Sequence, residues 1–121
     1  MRPAGADELP DARNVFDGGL LQVDHDVLAD AVDDGRVLVA VTASGTVLGA
    51  LVLDGEEIPA VAVRRRRRDQ GIGTALVDAA RDRPGRLVAE FDERVRPFWE
   101  SLGFAVENAG VEGRYRGTLA D

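Results

Sequence analysis

Val61-Ala62-Val63-Arg64-Arg65-Arg66-Arg67-Arg68-Asp69-Gln70-Gly71-Ile72-Gly73-Thr74-Ala75-Leu76 decides the fold. An apolar, strand-like run ends at Val63. Five arginines follow, then a turn with glycines at 71 and 73. A helical apolar pattern starts at once with Ile72, Ala75, Leu76, Ala79 and Ala80. Strand, cationic glycine turn and helix start together present several backbone N–H groups to a phosphate. Glycine lets the main chain approach an anion closely. The helix N-terminus adds partial positive charge and the arginines add full charge.

Two common phosphate loops do not fit. A P-loop needs a lysine after its second glycine, and this chain contains no lysine. A dinucleotide fingerprint needs G-x-G-x-x-G directly after the strand. Here Leu76 takes the third glycine position and the arginine run intervenes, although Glu90 lies where a ribose-binding acid would sit.

The spacing R-x-x-G-x-G, Arg68-Asp69-Gln70-Gly71-Ile72-Gly73, resembles the acetyl-CoA loop of the GNAT N-acetyltransferase superfamily. Pro97-Phe98-Trp99-Glu100-Ser101-Leu102-Gly103-Phe104 is similar to that superfamily's F-Y-E-K-L-G-F signature. The order of the two motifs and the distance between them also match, and the resemblance covers residues 38 to 106.

Chain-wide properties are compatible with this. The 121 residues suit one domain, spanning 1–121, with a single modest core. No window offers 18 uncharged apolar residues, so no transmembrane helix is expected. The start, M-R-P-A-G-A-D-E-L-P, lacks the apolar region of a signal peptide. Absent cysteine removes disulfides and a cysteine nucleophile, and one histidine excludes a histidine-rich metal site, so no metal is expected. Net charge is −7, and outside Arg64 to Arg68 there are ten basic against 22 acidic residues. Such a body repels nucleic-acid backbones. The acidic, lysine-free composition suggests a halophile's cytoplasmic protein, because molar salt shortens the Debye length to about 3 Å. Refolding and activity unchanged on lowering KCl from molar to millimolar would overturn that expectation.

The pattern predicts helices over residues 6–17, from a cap at Asp24 or Asp26 to Gly35, over 72–81 and over 94–102. Gly18-Gly19 and Arg83-Pro84-Gly85 are the expected stops of the first and third. Strands are predicted over 36–42, 46–53, 57–63, 86–91, 104–107 and 112–119. Pro59 lies inside the third strand and removes a ladder donor, so that strand is expected to be unpaired on one side or splayed. The order ααβββαβαββ matches the α+β GNAT fold in a compact version. The resemblance implies a mixed, mostly antiparallel sheet with a splayed central strand, flanked by helices.

The resemblance also implies roles. Backbone N–H groups of Gln70, Gly71, Ile72, Gly73 and Thr74 would hold the pyrophosphate of acetyl-CoA, with Arg68 and Asp69 opening the loop. Arg66 or Arg67 would assist. Val61, Ala62 and Val63 would pair with the pantetheine arm, the Val63 N–H facing the thioester carbonyl. Such a donor is commonly worth about 3 kcal/mol. Even spacing puts Glu57 and Val63 on one face of their strand, and relatives use a glutamate at Glu57 as general base, directly or through water. Its bland alternative is a solvated carboxylate beside a turn. Asp92 stands where relatives carry a pantetheine-contacting asparagine, and aspartate keeps only the acceptor. Glu90 and Glu93 are alternative attractors for a cationic substrate. Trp99 replaces the tyrosine that protonates departing CoA thiolate, and indole offers only an N–H donor. Tyr115 is the candidate substitute, and Phe98 belongs to the cofactor wall or the core.

The expected activity is transfer of acetyl from acetyl-CoA to a small-molecule or protein amine, by direct attack in a ternary complex. The other reading is a non-catalytic acyl-CoA-binding or sensor domain that works through a partner protein. Small GNAT domains often form homodimers, and nothing in the sequence specifies an interface.

Overall fold

The computed structural model describes residues 1–18, 24–82 and 85–119. The expected helix stops at Gly19 and at Arg83-Pro84 lie outside the described residues. Four α-helices are present among them: α1 (Leu9–Gly18), α2 (His25–Asp33), α3 (Ile72–Arg81) and α4 (Arg96–Ser101). The strands are β1 (Arg2–Pro3), β2 (Val37–Val41), β3 (Val47–Asp54), β4 (Glu57–Val63), β5 (Leu87–Asp92), β6 (Ala105–Asn108) and β7 (Arg114–Leu119).

Local chemistry sets these boundaries. Asp24 caps α2, its Oδ1 accepting from the N–H groups of Asp26 and Val27 at 2.9 and 3.3 Å. The predicted 6–17 helix divides into a 3-10 turn over Ala6–Glu8 and then α1, whose first turn holds Pro10 where no donor is needed. The last strand starts at Arg114 and not at 112, because the Arg114 N–H bonds to Val111 O at 3.0 Å and closes a turn. The two-residue β1 carries too few residues for any periodicity to show.

The strands form one sheet in the order β1-β2-β3-β4-β5-β7-β6. Every pair is antiparallel except β4 with β5. One face carries Val37, Val39, Ala50, Val52, Ala60 and Ala62 against Ala12, Val15 and Phe16 of α1 and Leu28, Ala31 and Val32 of α2. The opposite face carries Leu38, Ala40, Leu51, Leu53, Leu87, Ala89 and Phe91 against Leu76, Val77 and Ala80 of α3 and Trp99 of α4. The α+β architecture, the mostly antiparallel sheet and the flanking helices are therefore as the sequence implied. No helix among the described residues is long and apolar enough to cross a membrane.

Glu8 ties the first strand to α1. Its carboxylate receives both Arg2 guanidinium nitrogens at 2.6 and 2.7 Å and the Gly5 N–H at 3.0 Å. These donors, Arg2 first and then Gly5, hold the Glu8 carboxyl below its ordinary value of 4.5. A depressed folded value stabilises the fold above the unfolded value, and that stability is lost as pH falls through the folded one. Glu8→Gln is expected to destabilise by about 1–3 kcal/mol near neutrality. It should also flatten stability loss on acidification below about pH 4.5, read by denaturant unfolding at stepped pH. An unchanged acid limb would contradict the assignment.

Candidate active site

A β-bulge in β4 organises the site. Ala60 pairs with Val52 and Glu57 with Asp54, so Ile58 and Pro59 together oppose the single residue Leu53. The inserted residue reverses side-chain alternation. Ile58 and Val61, three apart, both pack on the α3/α4 side, while Ala60 and Ala62 pack on the α1/α2 side. The expectation that Glu57 and Val63 share a face is therefore corrected. Glu57 projects to the α1/α2 side, and Val63 lies beside Gly73 and Phe98 on the other.

Beyond the bulge, β4 leaves its parallel neighbour. Its one pairing with β5 is Glu57 to Val88, with the Val88 N–H donating to Glu56 O at 2.8 Å. The Arg64 N–H bonds to Leu48 O at 2.8 Å. Alternation along an antiparallel ladder then directs the N–H groups of Ala60 and Ala62 toward β3 as well. Val61 and Val63 turn their N–H and C=O groups into the gap, with no strand paired across from them among the described residues. Pro59, which has no donor, sits where the strands part. This is the splayed central strand that the sequence implied.

The glycine turn closes the gap at one end. Gly71 has φ 82° and Asp69 φ 62°, both left-handed, and aspartate is among the residues that tolerate it. Alternation of hand concentrates N–H groups in a concave cradle. No partner is recorded among the described residues for the N–H groups of residues 69 to 74. A Cβ at Gly71 would meet nothing within 4 Å. At Gly73 it would lie 3.3 Å from the Phe98 ring, so glycine there lets α4 close against α3.

The five arginines separate into distinct groups. Arg64 turns back into the sheet, donating Nε to Val47 O at 2.6 Å. Arg68 donates Nε to Val63 O at 3.2 Å, which holds its guanidinium at the end of β4. Arg65, Arg66 and Arg67 form an exposed 3-10 turn, with no ion pair recorded among the described residues.

On the α1/α2 side, a cavity of about 220 Å³ is lined by Glu57, Ile58, Pro59, Val88, Glu90 and Arg114. β5 alternation puts Val88, Glu90 and Asp92 on this side, and Arg114 pairs with Asp92 across the ladder. Arg114 escaped the sequence reading. Its presence here follows only once β5 and β7 are paired.

The other candidates fall elsewhere. Asp92 caps the 3-10 turn over Glu93–Val95, accepting from the Arg94 N–H at 2.9 Å and Arg94 Nε at 3.1 Å. The backbone donor first, then the Arg94 side chain, lowers its carboxyl from the ordinary value. Trp99 is 4% exposed, stacked on Phe91 at 5.5 Å and edge-on to Phe98 and Phe104 at 5.2 and 5.0 Å. The structure gives it a packing position. Tyr115 lies directly across from Phe91, under the Arg96 guanidinium at 4.7 Å. It therefore faces α4, and is not brought together with Glu57.

One comparison identifies the class. The description of an acetyltransferase (GNAT) domain matches residues 33–106. The chain belongs to the GNAT acetyltransferase family.

Among solved structures, the chain is similar to Rv2747 of Mycobacterium tuberculosis, determined in complex with CoA and NLQ, at 24% identity and TM-score 0.80 over 99% of this chain and 98% of that one. It is also similar to the Escherichia coli ribosomal-protein-S18-alanine N-acetyltransferase, at 18% identity and TM-score 0.75 over 98% and 90%. A spermidine N-acetyltransferase of Vibrio cholerae gives 14% identity and TM-score 0.74 over 98% and 93%. At such identities these likenesses concern the fold. No curated protein gives a significant match.

Proposed function

We propose that this chain, as a single GNAT domain, moves the acetyl group of acetyl-CoA to a primary amine. The observation that carries the reading is the strand gap ending in an N–H cradle. Val61 and the Val63 N–H offer a β-edge with no strand partner among the described residues, and the N–H groups of residues 69 to 74, with no partner recorded among them, stand at its end. A pantetheine arm has amides to pair with the edge, and a pyrophosphate suits the cradle. Arg68 adds charge at the junction, and the exposed Arg66 and Arg67 stand beside it. Phe98, against Gly73 and Val63, walls the gap.

The chemistry then follows from the two sides of the sheet. The thioester lies in the gap, where the Val63 N–H polarises its carbonyl. The amine enters from the cavity on the α1/α2 side, where Glu57 takes a proton from its ammonium, directly or through water. The nitrogen lone pair attacks the thioester carbon, and the C–N bond forms as the C–S bond breaks. CoA departs as thiolate, and the second nitrogen proton passes to it or to solvent. Buried Trp99 supplies packing to this step and no proton, since its indole is enclosed by three phenylalanines. Acetyl-CoA is a cytoplasmic metabolite, so the reading carries a cytoplasmic location.

A second reading is an acyl-CoA-binding domain without turnover. Trp99 in the core where relatives hold tyrosine, and Asp92 spent on a cap, favour it. Thiol release from acetyl-CoA with a panel of primary amines separates the two. Amine-dependent release supports the enzyme, and saturable binding without release supports the sensor.

A further inference from the structure

The cavity beside the thioester position is not uniformly acidic. Glu57 and Glu90 bring carboxylates to it and Arg114 brings a guanidinium. The chain carries 22 acidic residues, yet no ion pair closes on Arg114 among the described residues. Asp92, directly across the ladder, is near enough to feel the Arg114 charge. Its Oδ1 is nevertheless engaged by the Arg94 N–H and Nε. Glu90 stands across from Arg116, an opposite-charge neighbour on the same face. Arg114 is thus the cavity's uncommitted cation.

Position along the sheet sets Glu57 and Arg114 apart, with Glu90 on the same face between their levels. Glu57 is level with Val88, and Arg114 is level with Asp92. Four residues of strand span about 13 Å, and the long arginine side chain reaches back over part of that. The carboxylates of Glu57 and Glu90 suit an ammonium, and the Arg114 guanidinium suits a carboxylate. Pro59 and Val88 supply apolar wall between them. A cavity of about 220 Å³ suits a metabolite, being smaller than drug-sized sites.

We infer that the acceptor is a small amine that also carries a carboxylate, with the amine toward Glu57 and the carboxylate on Arg114. This rests on the acetyltransferase reading above and names the substrate class of the same site. A guanidinium holds a carboxylate by two parallel N–H donors, which fixes the far end of the acceptor and aims its nitrogen. The transfer balances as before: the nitrogen gains the acetyl carbon, the sulfur leaves with the electron pair, and Glu57 takes the first proton.

The test is thiol release by the whole chain with acetyl-CoA and L-amino acids. Each amino acid is compared with its carboxamide and its decarboxylated amine. The acids are expected to exceed both analogues by about tenfold or more in kcat/KM, mostly through KM. Arg114→Ala should erase that preference, and Arg114→Lys should restore part of it. Equal or better use of the amides by the unmutated chain overturns the inference without needing any variant. Should no amine release thiol, the acetyltransferase reading fails, and calorimetry of the same amino acids with the CoA-loaded protein decides this one separately. Binding that Arg114→Ala removes supports it, and no binding overturns it.

Discussion

Gly71→Glu is expected to abolish acetyl-CoA binding while the fold persists. Gly71 opens α3 at φ 82°, and the N–H groups of residues 69 to 74 have no partner recorded among the described residues. A glutamate there puts a carboxylate over the donors that would hold pyrophosphate. It both competes for the cradle and repels the ligand. Space does not forbid it, because a Cβ would meet nothing within 4 Å. The left-handed backbone costs a side chain about 1–2 kcal/mol, which a folded domain tolerates. Gly71→Ala carries the same strain without the charge, so it isolates the electrostatic effect. Affinity should fall by orders of magnitude in the glutamate variant and modestly in the alanine variant, read by calorimetry on samples with intact circular dichroism. Retained acetyl-CoA affinity in Gly71→Glu would sink the loop assignment.

Glu57→Gln is expected to lower kcat/KM by about a hundredfold or more, with acetyl-CoA affinity unchanged. Glutamine keeps the shape of the side chain and cannot take the ammonium proton. The bulge at Ile58–Pro59 turns Glu57 toward the α1/α2 side, where the cavity lies, and away from the Phe98 wall. The loss should therefore appear in turnover, and raising pH should recover part of it by deprotonating the amine in solution. Turnover and a pH profile that match the unmutated chain would remove Glu57 from the mechanism and leave it a surface carboxylate.

Much of this architecture is written locally. Glycines at 71 and 73 between an apolar strand and an apolar helix stripe fix the loop, because backbone hand and helix start depend on neighbours in sequence. Pro59 announces the parting of β4 from β5 for the same reason. The reversal of side-chain phase at Ile58–Pro59 is not local. It depends on how many β3 residues stand opposite, which only pairing reveals. The arginine run is likewise legible as a charge and illegible as a set of roles. Arg64 is committed inward by a carbonyl at Val47, seventeen residues away. Trp99 reads as a catalytic substitution in its motif. Its burial depends on Phe91 and Phe104, which come from β5 and from the turn before β6. Arg114 enters the cavity through the β5–β7 ladder, and no motif marks it.

On this reading, the gap beside β4 and the cradle at residues 69 to 74 form an acetyl-CoA site. Calorimetric titration of the unmutated chain with acetyl-CoA in molar KCl, with NAD and ATP as controls, tests it most directly. Saturable one-to-one binding of acetyl-CoA alone is expected. No heat of binding from a demonstrably folded sample, or equal binding of NAD or ATP, would contradict it.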